Sequence, residues 1–189
     1  MAQAPPALAG FLPQAAEYLG PAQWVESPTA HGPNRGFAVL YFHTPGSEVG
    51  HAVTSGLRFQ KIRTLLPQEL CCSLLAEQEE TAHRIVVETA RMILEGGVGL
   101  SSGTIIPGDR PLAPGSEMVG VICAENPCVD DEFNVVRNAD GEVEMQIISL
   151  IPASDAELAL AAEHGEQALF EAWEADDSDV ADLTRPSAV

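Results

Sequence analysis

The stretch Val143-Glu-Met-Gln-Ile-Ile-Ser-Leu-Ile-Pro-Ala-Ser-Asp-Ala-Glu157 decides the fold class, because two kinds of secondary structure meet in it. Val143 to Ile151 reads as a strand. It follows Asn138-Ala-Asp-Gly141, a hairpin-turn signal that joins it to a partner strand over Phe133 to Arg137. Three residues later the pattern changes. Ser154-Asp-Ala-Glu157 is a capping box: the serine oxygen accepts from the amide three residues on, and the glutamate reaches back to the serine amide. The helix it opens is predicted to run to His164 and stop at Gly165. A second short helix through Trp173 then turns Leu169 and Phe170 inward.

Working outward, Phe37-Ala-Val-Leu-Tyr-Phe42 is short, apolar and rich in strand formers, and reads as a buried strand. Gly50 to Leu57, after the Pro45-Gly46 turn, reads as a second strand, and Met118 to Ala124 as another apolar one. Gln68 to Ala76 places Leu70, Cys72 and Leu74 on one face at period two. The clearest helix is Glu79 to Glu95, where Ala82, Ile85, Val86, Ala90 and Ile93 recur at helical spacing. Glu80 and Arg84 are spaced for an outward i,i+4 pair worth ~0.3 kcal/mol. Gly96-Gly97 ends this helix, since glycine readily takes the left-handed conformation. Phe11 to Leu19 suits a short helix with Pro13 in its first turn. Ser27 to Gly36 and most of Gly103 to Ser116 read as loop. Strands early and late with one main helix between them predict an α+β fold. The Ala/Pro-rich residues 1–9 and the acidic residues 174–189 read as disordered, which leaves a single domain over 10–173.

The 189 residues include 9 basic and 28 acidic ones, a net charge of −19, with Lys61 the sole lysine. Such a chain repels phosphate and anionic lipid, so nucleic acid and membrane surfaces are excluded as expected partners, and a basic protein is favoured. No stretch approaches the ~18 apolar residues of a membrane span, and the N-terminus lacks a secretory pattern. Cys71, Cys72, Cys123 and Cys128 are poorly laid out for disulfides and read as reduced thiols of a cytoplasmic protein.

Motifs for catalysis are missing. There is no G-x-S-x-G, no H-E-x-x-H and no P-loop. Gly97, Gly99 and Gly103 have the wrong spacing for a dinucleotide loop and follow a helix where that loop follows a strand. Cys123 and Cys128 sit at the edge of zinc-ligand spacing, while Cys71 and Cys72 on a strand point to opposite faces. Buried thiols are therefore expected, with no metal and no cofactor. His31, His43, His51, His83 and His164 share no ligand spacing. His83 and His164 are expected on exposed helix faces, and His43 and His51 flank one turn. An enzymatic alternative would use His43, His51 or a cysteine, and a further alternative is a homo-oligomeric scaffold. Asp130-Asp131-Glu132 is the sharpest charge cluster inside the fold. It is the candidate partner-binding site, set against its reading as a solvated loop.

Taken in order, several of these segments resemble the suppressor of fused family in its compact bacterial form. They are Thr54-Ser-Gly-Leu57, Leu66-Pro-Gln-Glu-Leu-Cys71, Pro111-Leu-Ala-Pro-Gly-Ser116 and Gln146-Ile-Ile-Ser-Leu-Ile-Pro152. The last leads into Asp155-Ala-Glu-Leu158 and Glu163-His-Gly-Glu-Gln-Ala-Leu-Phe170. The likeness covers roughly Phe37 to Trp173. It implies helices packed against a mixed sheet and a non-catalytic, protein-binding role: sequestration of a transcription factor in animal members, neutralisation of toxins by bacterial immunity proteins. The second lobe of the animal proteins has no counterpart here, so neither their clamp nor their partner is carried over.

Overall fold

Strand β8 (Val143–Ser154) is 12 residues long and organises the molecule. The computed structural model describes residues 10–25 and 36–189; the readings for 1–9 and 27–35, His31 included, lie outside them. Strand β4 (Gln68–Leu75) runs parallel to β8, from Gln68 opposite Gln146 to Cys71 opposite Ser149. Along the other side of β8, β7 (Val135–Arg137) pairs antiparallel with its first half and β6 (Met118–Ala124) with its second. Beyond β4 come β3 (Val49–Ser55), β2 (Ala38–His43) and β1 (Ala22–Val25); beyond β6 comes β5 (Ile105–Ile106). The order β1-β2-β3-β4-β8-β6-β5 makes a mixed eight-stranded sheet with β7 off the path. With its helices it is the α+β fold that the order of elements predicts.

Alternation along the strands divides the core into two layers. Ile148 and Leu150 of β8, Leu70, Cys72 and Leu74 of β4, and Val121 and Cys123 of β6 pack under α2 (Glu79–Gly96). On the opposite face, Met145 and Ile147 pack with α1 (Phe11–Leu19) and Phe133. On that same face Ile151, Ala153 and Ile122 pack with α3 (Asp155–His164) and α4 (Glu166–Ala175). The capping box forms at the start of α3: Glu157 N donates to Ser154 Oγ at 3.2 Å and Ser154 N to Glu157 Oε2 at 2.9 Å. Gly97 takes the left-handed conformation after α2. The Asn138–Gly141 turn closes the β7–β8 hairpin.

Two segments quoted for their resemblance form one buried unit. The Glu69 carboxylate, fully buried, accepts from the Thr54 hydroxyl at 2.6 Å, from the amides of Gly56, Leu57 and Arg58, and from the Arg58 guanidinium at 2.6 Å. Burial lifts this carboxyl above its ordinary value, while the Arg58 charge and these donors oppose the rise.

Several expectations are corrected. Residues 174–189 are not an unfolded tail: α4 runs to Ala175, and the chain beyond it packs against the domain, with Ala181, Leu183 and Arg185 buried. Leu75 N donates to Ala181 O and Leu183 N to the Gln78 side chain, while Arg185 pairs with Glu157 at 2.6 Å inside the protein. The alternation of 181, 183 and 185 supplies the apolar and ionic anchors that an averaged acidic composition conceals. Leu57 opens a short turn in place of ending a strand. Arg84 makes no ion pair with Glu80 among the described residues; its guanidinium donates to Leu112 O. His83 is half-buried, stacked on Tyr41 and hydrogen-bonded to its hydroxyl, because β2 presents that ring to α2.

Candidate functional site

The groups an enzyme would use fall at the seam between the α1 and α3–α4 clusters. His51 Nδ1 lies 2.8 Å from Ser73 Oγ, which also accepts from Asn126 Nδ2 at 2.8 Å, and Asn126 Nδ2 reaches Cys71 Sγ at 3.4 Å. The second ring nitrogen of His51 faces Thr44 Oγ1 at 3.3 Å, and among the described residues no carboxylate orients the ring. Burial, then the charge of neighbouring His43, lower His51 to a pKa of about 4, so it is neutral at pH 7. Burial pushes the Cys71 and Cys123 thiols up to about 12 and Cys128 to about 11, and raises Cys72 too. None is a thiolate nucleophile at neutral pH. The void beside Ser73, walled by Asn126, Pro127 and Cys128, is only about 10 Å³. That is room for about one water and none for a substrate. Cys71 and Cys72 do point to opposite faces, and among the described residues no three His, Cys, Asp or Glu side chains converge as a metal-ligand set. No described helix is long and apolar enough to cross a membrane.

The carboxylates of Asp130, Asp131 and Glu132 stay exposed, but they are not equivalent. Asp130 caps the turn Asp131–Asn134 by accepting from Glu132 N at 3.0 Å. Glu132 lies 3.6 Å from Arg137. Asp131 alone of the three has a carboxylate with no partner among the described residues, and it lines a cleft beside α4.

A second concave feature was not legible in the sequence. Gly103 to Ser116, read mostly as loop, contains β5, whose run of two residues is too short to show a period. Pro107 ends it, since proline has no amide to donate. The strand is drawn tightly against β6. A Cβ on Gly108 would stand 1.8 Å from Val119 O, and one on Gly120 would stand 2.6 Å from Ile106 O. Only glycine permits this approach. Between these strands and α2 opens a groove of about 190 Å³, walled by Ile85, Met92, Ile106, Pro107 and Leu112, with Glu88 at its rim. Met92 is 42% exposed. The groove is smaller than the roughly 300 Å³ at which small-molecule pockets begin, and suits one or two apolar side chains. Beside it β5 forms the edge of the sheet, with no described strand beyond it. Edge strands offer unpaired amides and carbonyls to an incoming chain.

A family model described as Suppressor of fused protein (SUFU) matches residues 33–186. No curated protein matches the chain. Among solved structures, the Sufu–Fu complex aligns with a TM-score of 0.73 at 16% identity, over 98% of this chain and 93% of that one. A suppressor of fused homologue from Neisseria gonorrhoeae FA 1090 aligns with a TM-score of 0.70 at 14% identity, over 97% of each chain. Drosophila Suppressor of Fused gives 0.62 at 15% identity, over 80% of this chain and 42% of its own. At these identities the structural likeness establishes the fold alone.

Proposed function

This chain belongs to the suppressor of fused family, and from that premise we propose that it is a non-catalytic protein-binding domain. It holds an extended segment of a partner along the edge of β5. One observation carries this reading: an open edge strand lies beside an apolar groove sized for side chains, with Met92 exposed in its wall. Main-chain pairing would give affinity, and the groove would select alternate side chains of the added strand. The family resemblance and the Sufu–Fu complex, in which a related fold was solved with a partner, support the same reading. The sealed surroundings of His51 and Ser73 weigh against the hydrolase alternative.

A segment held in this way is sequestered. That suits titration of a regulator or neutralisation of a toxin in the cytoplasm, where free thiols persist. The charge of −19 would speed encounter with a basic partner. The test is capture of partners from native cells by the tagged chain and by a Met92→Lys variant, whose exposed site leaves the core intact. A stoichiometric protein held by the parent and lost from the variant is expected. Equal retention would refute the groove, and no captured protein across growth conditions would refute the binding role.

A further inference from the structure

The cleft that Asp131 lines is separate from the groove and has a different chemistry. It holds about 460 Å³ between α4 and the chain leaving β6, with Glu125, Asp131, Glu174 and Asp177 around it and Phe170 and Trp173 in its wall. None of these four carboxylates has an ion-pair partner among the described residues, although the buried Glu69 and Glu157 each have an arginine. Phe170 and Trp173 stack with centroids 5.5 Å apart. Asp177 lines the cleft at the turn after α4: at φ 53° it is the one described non-glycine residue with positive φ, and Trp173 O and Glu174 O accept the amides of Ser178 and Asp177.

The protein already uses this chemistry on itself. The Arg185 guanidinium lies 5.5 Å from the Trp173 ring centroid and pairs with Glu157 at 2.6 Å. Trp173 itself is 6% exposed and gives its indole N–H to Glu157, so the ring the cleft offers is that of the partly exposed Phe170; with the unpaired carboxylates it is complementary to a second cation of the same kind. Arginine fits better than lysine, because its planar, weakly hydrated guanidinium stacks on rings while its edges donate to carboxylates. The volume admits a whole side chain.

We propose that this cleft seats an arginine side chain from a basic segment of the protein partner. The proposal rests on the protein-binding reading but shares no residue with the groove, so each can fail alone.

The test uses the full chain and a blocked tetra-arginine peptide, with tetracitrulline and tetralysine as comparisons, followed by calorimetry and NMR. Saturable binding is expected to move the Trp173 indole N–H and the amides of Asn126, Asp177 and Ser178. Tetracitrulline, which keeps the shape without the charge, is expected to bind at least about tenfold more weakly. The Asp131→Asn/Asp177→Asn variant is expected to lose about tenfold, while Glu80→Gln/Glu95→Gln, the same charge change on α2, shifts affinity less than about twofold. Asparagine tolerates the left-handed backbone at 177, so the variant keeps the fold. Equal losses from the two double variants, or binding that never saturates, would overturn the site in favour of diffuse attraction to an acidic protein. Shifts confined to the β5 groove would overturn it as well. Tetralysine binding as tightly as tetra-arginine would overturn the arginine assignment.

Discussion

His51 shows how one buried side chain sets the response of the protein to acid. Its ring is 2% exposed, and its pKa falls from an ordinary value near 6.5 to about 4 in the folded state. A depressed histidine favours the neutral form on folding. The stability it supports is therefore complete above pH 6.5 and is lost as pH falls towards 4. The linked loss is about 2 kcal/mol between pH 7 and pH 5. Urea unfolding at the two pH values measures it, and His51→Gln is expected to flatten most of the difference. Glu157 behaves differently. Burial raises its pKa, but hydrogen bonds from Arg185, Ser154 and Ala188 and the Arg185 charge outweigh this and hold it below the ordinary carboxylate value. Its contribution is present above its unfolded pKa and is lost only at lower pH, so the two groups separate along the pH axis. The thiols give a further check. Cys71, Cys72 and Cys123 are buried with raised pKa values, so alkylation at pH 8 is expected to spare all three until the protein unfolds.

Among the elements, the segment after α4 is the one whose sequence most misleads. Asp176, Asp177 and Asp179 are exposed and Asp182 is half-buried against Gln78, while Ala181, Leu183 and Arg185 face inward. Deleting 176–189 strands Glu157 as a buried carboxylate without its arginine, at an expected cost of about 3–5 kcal/mol, which denaturant titration would read directly. A disordered tail would have cost nothing to remove. Elements with strong local signals were legible. The capping box at Ser154, the helical period of α2 and the alternation of Leu70, Cys72 and Leu74 each arise from contacts within one element. The β5 edge and the groove were not, because they depend on two glycines that let distant backbones touch, and a glycine does not say which backbone it approaches. Gly120→Ala tests this: its Cβ would stand 2.6 Å from Ile106 O and 2.8 Å from Leu158 Cδ1. Detachment of β5 and a loss of about 1–3 kcal/mol are expected. Within the predicted acidic trio, composition could not tell Asp131, which lines the cleft, from Asp130, which caps the turn, and Glu132, which lies near Arg137.

At the scale of the whole molecule, a sheet covered on both faces leaves its edges and the seams between its helices as places to receive a partner. The groove beside β5 offers backbone pairing and apolar pockets, and the seam beside α4 offers carboxylates and rings. A strongly acidic surface would draw a basic protein to both, and association is expected to slow as salt rises while dissociation changes little. The proposed partner adds a strand at β5. Hydrogen–deuterium exchange on the purified complex and on the free chain tests it most directly. The expected result is slowed exchange in the complex at the amide of Ile105, which points away from β6, whereas the Ile106 amide is already paired with Val121. Unchanged exchange at β5, with protection confined to other surfaces, would contradict it.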